Sequence, residues 1–372
     1  MRPVVKIAAL LTIVMCANGQ TPKPQMAEDV FKNVQVMKGI PVDEFLGTMG
    51  AFSAALGWSC EDCHKADDTN WANFGVDNPA KVRTRQMIQM MAGINKTYFG
   101  GRQGVTCFSC HRGANHPKPT PNLATLYYNR DAVVENPDDI VQPAPAQPPA
   151  EQVLDKFIAA IGGTQNWATV NSYVAKGSNS GYGPEGGKRA TEIYAKAPGQ
   201  RTIIVHTDNG DATTTVDGAS GWYAAPLRPV PVLAYMGNEL AGMKLDAGMA
   251  FPGRIKQMLG NWRTGLPFTM GDKDYVVVQG TSPAGTLATF YFDPDTGLLM
   301  RMVRYTNSIV GRFPTMTDYS DYREVNGVKL PFKWVYSWLD GRETFELTDV
   351  QLNAAVDGSK FAKPAPVAAK SK

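Results

Sequence analysis

Two short runs in the first third of the chain hold residue types that can tether and ligate a metal macrocycle: Cys60-Glu61-Asp62-Cys63-His64 and Cys107-Phe108-Ser109-Cys110-His111. In a Cys-x-x-Cys-His run the two thiols bond to the vinyl groups of one haem, and the adjacent histidine becomes an axial iron ligand. The two intervening residues bring both sulfurs to one side of the macrocycle, and the next residue turns its imidazole under the metal. Two copies, each with its histidine, point to two covalently bound c-type haems. Other readings of paired cysteines fit less well. Zinc modules typically separate such pairs by roughly 15–20 residues, whereas Cys63 and Cys107 lie much farther apart. A thioredoxin-like dithiol needs one pair beside a βαβ pattern and no histidine.

Each iron then needs a group on its other face. Upstream of Cys60, Phe45, Met49, Phe52 and Leu56 recur at i, i+4, i+7 and i+11. That spacing predicts a helix with one apolar stripe, capped by Asp43 and stopped by Gly57. Such a helix can present the Met49 sulfur to iron held by His64. Asn78-Pro79 opens a second helix carrying Met87, Ile88, Met90, Met91 and Ile94, with Gly100-Gly101 at its end. Met87, Met91, Ile94 and Tyr98 are expected on one face. Methionine serves core packing equally well, so the residues alone leave Met87, Met90 and Met91 open as the second sulfur ligand. His116 follows His111 too closely to cap the same iron easily, and a structural or surface role is expected for it. His206 falls in a strand-like run elsewhere. A thioether opposite histidine raises the potential and fills the coordination sphere. That favours electron transfer over substrate chemistry at iron.

The elements that must position these groups follow from the whole chain. At 372 residues, 43% of them hydrophobic, it is long enough for two or three domains. Arg2 and Lys6 precede an apolar run from Ile7 to Met15, and Ala17-Asn18-Gly19 offers a cleavage site, so residues 1–19 read as a signal peptide. Cys16 raises the question of a lipid anchor, but Met15 is not the small residue that lipoprotein processing prefers. Removal of residues 1–19 leaves four cysteines, all inside the two motifs, and no disulfide to expect in an oxidising compartment. No segment reaches the roughly 18 apolar residues of a membrane span. The formal charge of +3 falls to +1 without Arg2 and Lys6, and no basic stripe interleaved with aromatics points to nucleic acid. A periplasmic or extracellular location is expected.

The expected architecture is multidomain. A mainly α-helical dihaem cytochrome c domain spans 30–121, and a proline-rich linker, semi-extended and solvated, spans 122–150. An α+β domain with a curved, largely antiparallel sheet spans 151–360, and a tail spans 361–372. Pro137, Pro143, Pro145, Pro148 and Pro149 mark the linker. Val153, Phe157 and Ile161 predict a helix ended by Gly162-Gly163. Strand signals follow at Ile203–Val205, Tyr275–Val278, Leu287–Phe292 and Lys333–Trp338. Asn209-Gly210, Asp217-Gly218, Asn326-Gly327, Asp340-Gly341 and Asp293–Gly297 read as turns. A helical insertion is expected over about 231–262.

Residues 30–115 resemble the cytochrome c subunit of the photosynthetic reaction centre. The matching strings are Asn33-Val34-Gln35-Val36, Glu44-Phe45, Met49, Cys60 to His64, Arg85-x-Met87, Ile94-Asn95, and Gly104-Val105-Thr106-Cys107 to His111-Arg112-Gly113. In that family a helix methionine precedes each Met-ligated attachment motif. The resemblance therefore implies Met49 as partner of His64 and Met87 as partner of His111. The family carries four haems in two such modules, and this chain has attachment motifs for two. No histidine occurs between Asn95 and Cys107, where one family haem takes a ligand. The spacing from Met87 to His111 is shorter than the family's, which keeps Met90 and Met91 as rivals. At pattern level, Gly221-Trp222, Asp293–Gly297 and Asp318-Tyr319-Ser320-Asp321-Tyr322 before Asn326-Gly327 are similar to curved-sheet domains of lipoprotein-carrier type, which implies a possible lipid or other hydrophobic ligand in the carboxy-terminal domain.

The functional expectation is an exported dihaem c-type cytochrome, not an enzyme, carrying single electrons between periplasmic or cell-surface redox partner proteins. Two alternatives differ in class. A dihaem peroxidase-like enzyme needs a vacant iron position with acid–base residues above it. A lipid- or quinone-binding protein would use the haems as a redox sensor.

Overall fold

The computed structural model describes residues 24–64, 71–117, 119–120, 141–181 and 187–367. The expected signal peptide, Cys16, Pro137 and the end of the tail lie outside the described residues.

The amino-terminal region is helical: α1 (Ala27–Val30), α2 (Val42–Leu56), α3 (Cys60–Cys63), α4 (Pro79–Tyr98) and α5 (Cys107–His111). Helix α2 stops at Gly57, which adopts the left-handed conformation at φ 65°. Glycine is required there twice over, since a Cβ would also lie 2.3 Å from the Gly113 carbonyl oxygen. The start of α2 corrects the expectation. Pro41 is the cap residue, and Asp43 sits inside the first turn, buried. A tertiary partner claims its carboxylate, because Oδ2 accepts the Met236 N–H at 2.7 Å.

Helix α4 opens as the sequence predicts. The Asn78 side chain accepts the Lys81 N–H at 3.0 Å, and Pro79 takes the first turn, where no N–H is needed. Its buried residues are Ile88, Met91 and Asn95. Tyr98, expected on the same face, is 78% exposed. Tyr98 is the last residue of the helix, one turn beyond buried Asn95.

After α6 (Ala150–Ala160) and α7 (Gly163–Thr169) the chain becomes a sheet. Its first six strands are β1 (Ser172–Gly181), β2 (Arg189–Lys196), β3 (Gln200–Thr207), β4 (Gly210–Val216), β5 (Gly221–Ala224) and β6 (Val232–Tyr235). Helices α8 (Gly237–Gly248) and α9 (Ile255–Met258) follow. Then come β7 (Gly260–Thr264), β8 (Phe268–Met270), β9 (Lys273–Thr281), β10 (Leu287–Phe292), β11 (Leu299–Ser308), β12 (Gly311–Val325), β13 (Val328–Trp338) and β14 (Gly341–Leu352). The strand order is β6-β5-β4-β3-β2-β1-β14-β13-β12-β11-β10-β9-β7, with β8 paired to β9. Every ladder is antiparallel, and the first and last strands meet in mid-sheet. The expected turns at Asn326-Gly327 and Asp340-Gly341 join β12 to β13 and β13 to β14. The helical insertion is narrower than expected, because β6 and β7 take up its two ends.

Alternate residues of each strand face inward. Trp334, for instance, pairs with Tyr319 on one side and Phe345 on the other. Helices α6 to α9 cover part of this inner face. Phe157, Ile161, Trp167, Phe251 and Ile255 join Phe290, Phe292 and Met302 of the strands in one core. Each such side chain contributes about 1.5–3 kcal/mol on burial. Helix α7 has no apolar period of its own. Trp167 anchors it, donating its indole N–H to the Ile161 carbonyl at 3.0 Å.

Residues 141–149, expected to run solvated, instead pack against the sheet. The Ala144 N–H reaches the Thr264 carbonyl at 2.9 Å, and the Thr264 hydroxyl donates to the Pro148 carbonyl at 2.8 Å. The segment thereby covers the edge strand β7, whose backbone would otherwise stand open.

Candidate functional site

Each Cys-x-x-Cys-His run folds into a single helical turn with reciprocal capping. At the first, the Asp62 carboxylate accepts the Ser59 N–H at 2.7 Å. At the second, Ser109 Oγ accepts the Thr106 N–H at 3.0 Å, while Thr106 Oγ1 accepts the Ser109 N–H at 3.3 Å. One turn places the two thiols of each run close together and delivers the histidine at its end.

The two histidines are held in the same way. His64 Nδ1 lies 3.2 Å from the Phe74 carbonyl, and its ring stacks on Phe74 with centroids 4.6 Å apart. His111 Nδ1 lies 2.9 Å from the Ala114 carbonyl. A carbonyl can only accept, so Nδ1 carries the proton and the Nε2 lone pair is left for a metal. Burial, reinforced by the nearby Lys81 ammonium, lowers the His64 pKa and favours this neutral ring. Burial raises the thiol pKa of Cys60, Cys63 and Cys107, with Asp340 adding to the shift at Cys60. Redox dithiols require the opposite shift. The two cysteine pairs do not converge either: among the described residues no group of three or more His, Cys, Asp or Glu side chains is arranged as a metal site.

The long helices cross-brace the motifs. Asn78, at the head of α4, donates to the Cys63 carbonyl at 2.7 Å. The tail of α2 grips the second motif, where the Gly113 N–H donates to the Ala55 carbonyl at 2.9 Å. Buried Asn95 shapes the approach to Cys107. Its Oδ1 accepts the N–H groups of Gly104 and Val105, both at 2.9 Å, and its Nδ2 donates to the Val105 carbonyl at 2.8 Å. The residues in isolation did not mark Asn95 as positioning. The available signal was a polar side chain among the apolar positions of α4.

The methionines separate. Met49 lines one cavity of about 1920 Å³ together with Cys60, Cys63 and His64. Phe45, Phe52 and Leu56 line it too, so the predicted stripe of α2 faces the first motif. Met87 is half-buried and lies off this cavity, and Met90 is 49% exposed. Met91 is buried with Ala51 and Val310, and Cys107 packs against that cluster. His116 is exposed at the surface. His206, on β3, hydrogen-bonds Asp211 at 2.8 Å, and neither it nor His116 lines the cavity.

The helical region sits on one end of the sheet. Besides the Asp43–Met236 bond, the Glu44 carboxylate accepts the Ile309 N–H at 3.1 Å, and Gln103 donates to the Ser308 carbonyl at 2.6 Å. Gly50 of α2 passes so close to the β13–β14 turn that a Cβ would lie 3.1 Å from the Asp340 carboxyl. Burial pushes the Asp43 pKa up to about 6 against the favourable Met236 bond.

Residues 5–140 match the family model of the photosynthetic reaction centre cytochrome C subunit. The photosynthetic reaction center cytochrome c subunit of Roseobacter denitrificans is 35% identical over 119 residues, 30% of this chain and 30% of its own. That of Thermochromatium tepidum is 36% identical over 96 residues, 25% of this chain and 23% of its own. The chain thus spans less than a third of the curated relatives it matches. Among solved structures, a LolA superfamily protein from Nitrosomonas europaea aligns at 13% identity with a TM-score of 0.39, covering 58% of this chain and 99% of its own. A putative outer membrane lipoprotein-sorting protein domain from Vibrio parahaemolyticus aligns at 8% identity with a TM-score of 0.39, covering 57% and 95%.

Proposed function

We propose that the chain is an exported dihaem c-type cytochrome that carries single electrons between periplasmic or cell-surface redox partner proteins. The matched family is one of cytochrome c electron carriers. The observation that carries the reading is the pair of capped single-turn motifs whose histidines both commit Nδ1 to a backbone carbonyl. That is how a neutral imidazole is oriented toward iron. Cys60, Cys63, His64 and Met49 would hold one haem. Cys107, Cys110 and His111 would hold the other, with Met87 as the family-implied sulfur and Met90 and Met91 as its rivals in α4. Bound haem supplies a one-electron couple, and histidine–thioether ligation sets it high.

The polypeptide fixes both rings. Asn78 and Phe74 orient the first motif, and Asn95 and Gly113 the second. The boundaries follow the same reading: a signal peptide over 1–19, a cytochrome domain over 30–121 and a sheet domain over 151–360. No described helix is long and apolar enough to cross a membrane.

Mass spectrometry of the matured protein tests the assignment. Two haem additions are expected, one on the Cys60–Cys63 peptide and one on the Cys107–Cys110 peptide. An unmodified polypeptide, or zinc in place of iron, overturns it.

A further inference from the structure

Two hairpin turns of the sheet reach the attachment sites, and they bring different chemistry. The turn between β11 and β12 meets the second site with apolar groups. Val310 is buried with Ala51 and Met91, Cys107 packs against them, and a Cβ at Gly311 would lie 3.2 Å from Thr106. The turn between β13 and β14 meets the first site with a carboxylate. Trp338, Leu339 and Asp340 line the same cavity of about 1920 Å³ as Met49, Cys60, Cys63 and His64, so the sheet supplies part of that chamber's wall.

Asp340 is held from both sides. The Trp338 side chain hydrogen-bonds its carboxylate, and the indole packs closely over Gly341, where a Cβ would lie 2.3 Å from the ring. Opposite, the carboxyl faces Gly50 of α2 at the close approach described above. Burial raises the Asp340 pKa, while the Trp338 bond and the Arg228 guanidinium act against that rise and favour the anion. Its charge is felt at the motif: after burial, Asp340 is the largest cause of the raised Cys60 thiol pKa. At Cys107 the rise comes from burial, with the Cys110 thiol adding to it. From Lys96 to His116, around the second motif, the chain carries Lys96, Arg102 and Arg112 and no Asp or Glu.

Oxidation adds one positive charge to a haem iron. A carboxylate on a half-buried, largely apolar wall stabilises that charge more than one in water does, because less of its field is screened. We infer that Asp340 is a potential-setting residue of the haem assigned to Cys60 and Cys63, lowering its potential below that of the haem at Cys107 and Cys110 and so directing electrons from the first site to the second. The inference rests on the two-haem reading above. In each passage one iron is oxidised and the other reduced by one electron, and no bond or proton changes place.

A redox titration of the holoprotein, followed in the visible and near-infrared, tests it. Met49→Ala tells the two couples apart, since it removes the sulfur-to-iron band of the first haem alone. In the wild type the couple belonging to that band should be the lower. Asp340→Asn, which keeps the shape against Gly50, should raise this couple alone by about tenfold in electron affinity, about 59 mV. Arg228→Gln removes the opposing charge and should lower the same couple, by less, because Arg228 is exposed and screened. A first haem that is the higher of the two in the wild type, an Asp340→Asn couple that stays or falls, or equal movement of both couples overturns the inference. If Asp340→Asn fails to mature, a first couple that rises or stays in Arg228→Gln overturns it instead. Two haems with an unmoved first couple sink this inference alone, whereas a protein without them sinks the electron-carrier reading.

Discussion

The two attachment turns share one local design and differ in what lies around them. Both are single helical turns with reciprocal caps and a histidine fastened through Nδ1 to a carbonyl. The first opens onto a large cavity that Met49 also lines. The second is pressed against the sheet, with Cys107 beside the buried cluster of Ala51, Met91 and Val310. Local sequence thus fixes the histidine side of each site, and tertiary packing fixes the other side.

Replacing the opposing sulfurs should break this contrast most visibly. Met49→Ala is expected to abolish the near-infrared sulfur-to-iron charge-transfer band of one haem and to lower its potential, since a thioether favours the ferrous state. Met87→Ala should do the same at the other haem alone. A redox titration followed in the visible and near-infrared reads both, and a Met87→Ala protein retaining both bands would hand that role to Met90 or Met91.

Packing sharpens the contrast at the next level. If Met91 is a core residue, Met91→Ala should cost about 2–5 kcal/mol in denaturant unfolding while both bands survive. Loss of a band with little loss of stability would reverse the assignment.

The smallest expected effect concerns the joint between the two regions. The carboxyl of Asp43 has a folded pKa of about 6, above its ordinary value of 3.8. Its contribution is therefore fully present below pH 3.8 and is lost as pH rises through 6. Asp43→Asn should leave stability unchanged near pH 4 and raise it by about 2 kcal/mol at pH 7. Unfolding at the two pH values measures the difference, and a difference independent of pH would refute it.

Much of this was legible in the residues. The attachment motifs, the stripe of α2, the Asn78-Pro79 start of α4 and the Asn-Gly and Asp-Gly turns are all set by near neighbours. What escaped depends on distant partners. Asp43 has the composition of a cap, yet the Met236 N–H from the other region draws it into the helix. Arg304 sits in a strand pattern, and no periodicity announces that Asp246 and Tyr336 will enclose it. The proline-rich end at 141–149 is polar enough to be solvated, but it meets the open backbone of β7. The shared cavity is invisible in one dimension, because its walls are joined only when the helices settle on the sheet.

The pairing of β1 with β14 imposes a chronology. Tyr173 lies opposite Leu352, so the middle of the sheet is sewn from segments at opposite ends of the carboxy-terminal region. Such distant partners pay their loop-closure entropy late. The contacts Asn78–Cys63, Asn95–Val105 and Gly113–Ala55 all close within the amino-terminal region and over far shorter loops. The chamber that Cys60 and Cys63 share with the inner face of the sheet therefore acquires its far wall only when these two segments have met.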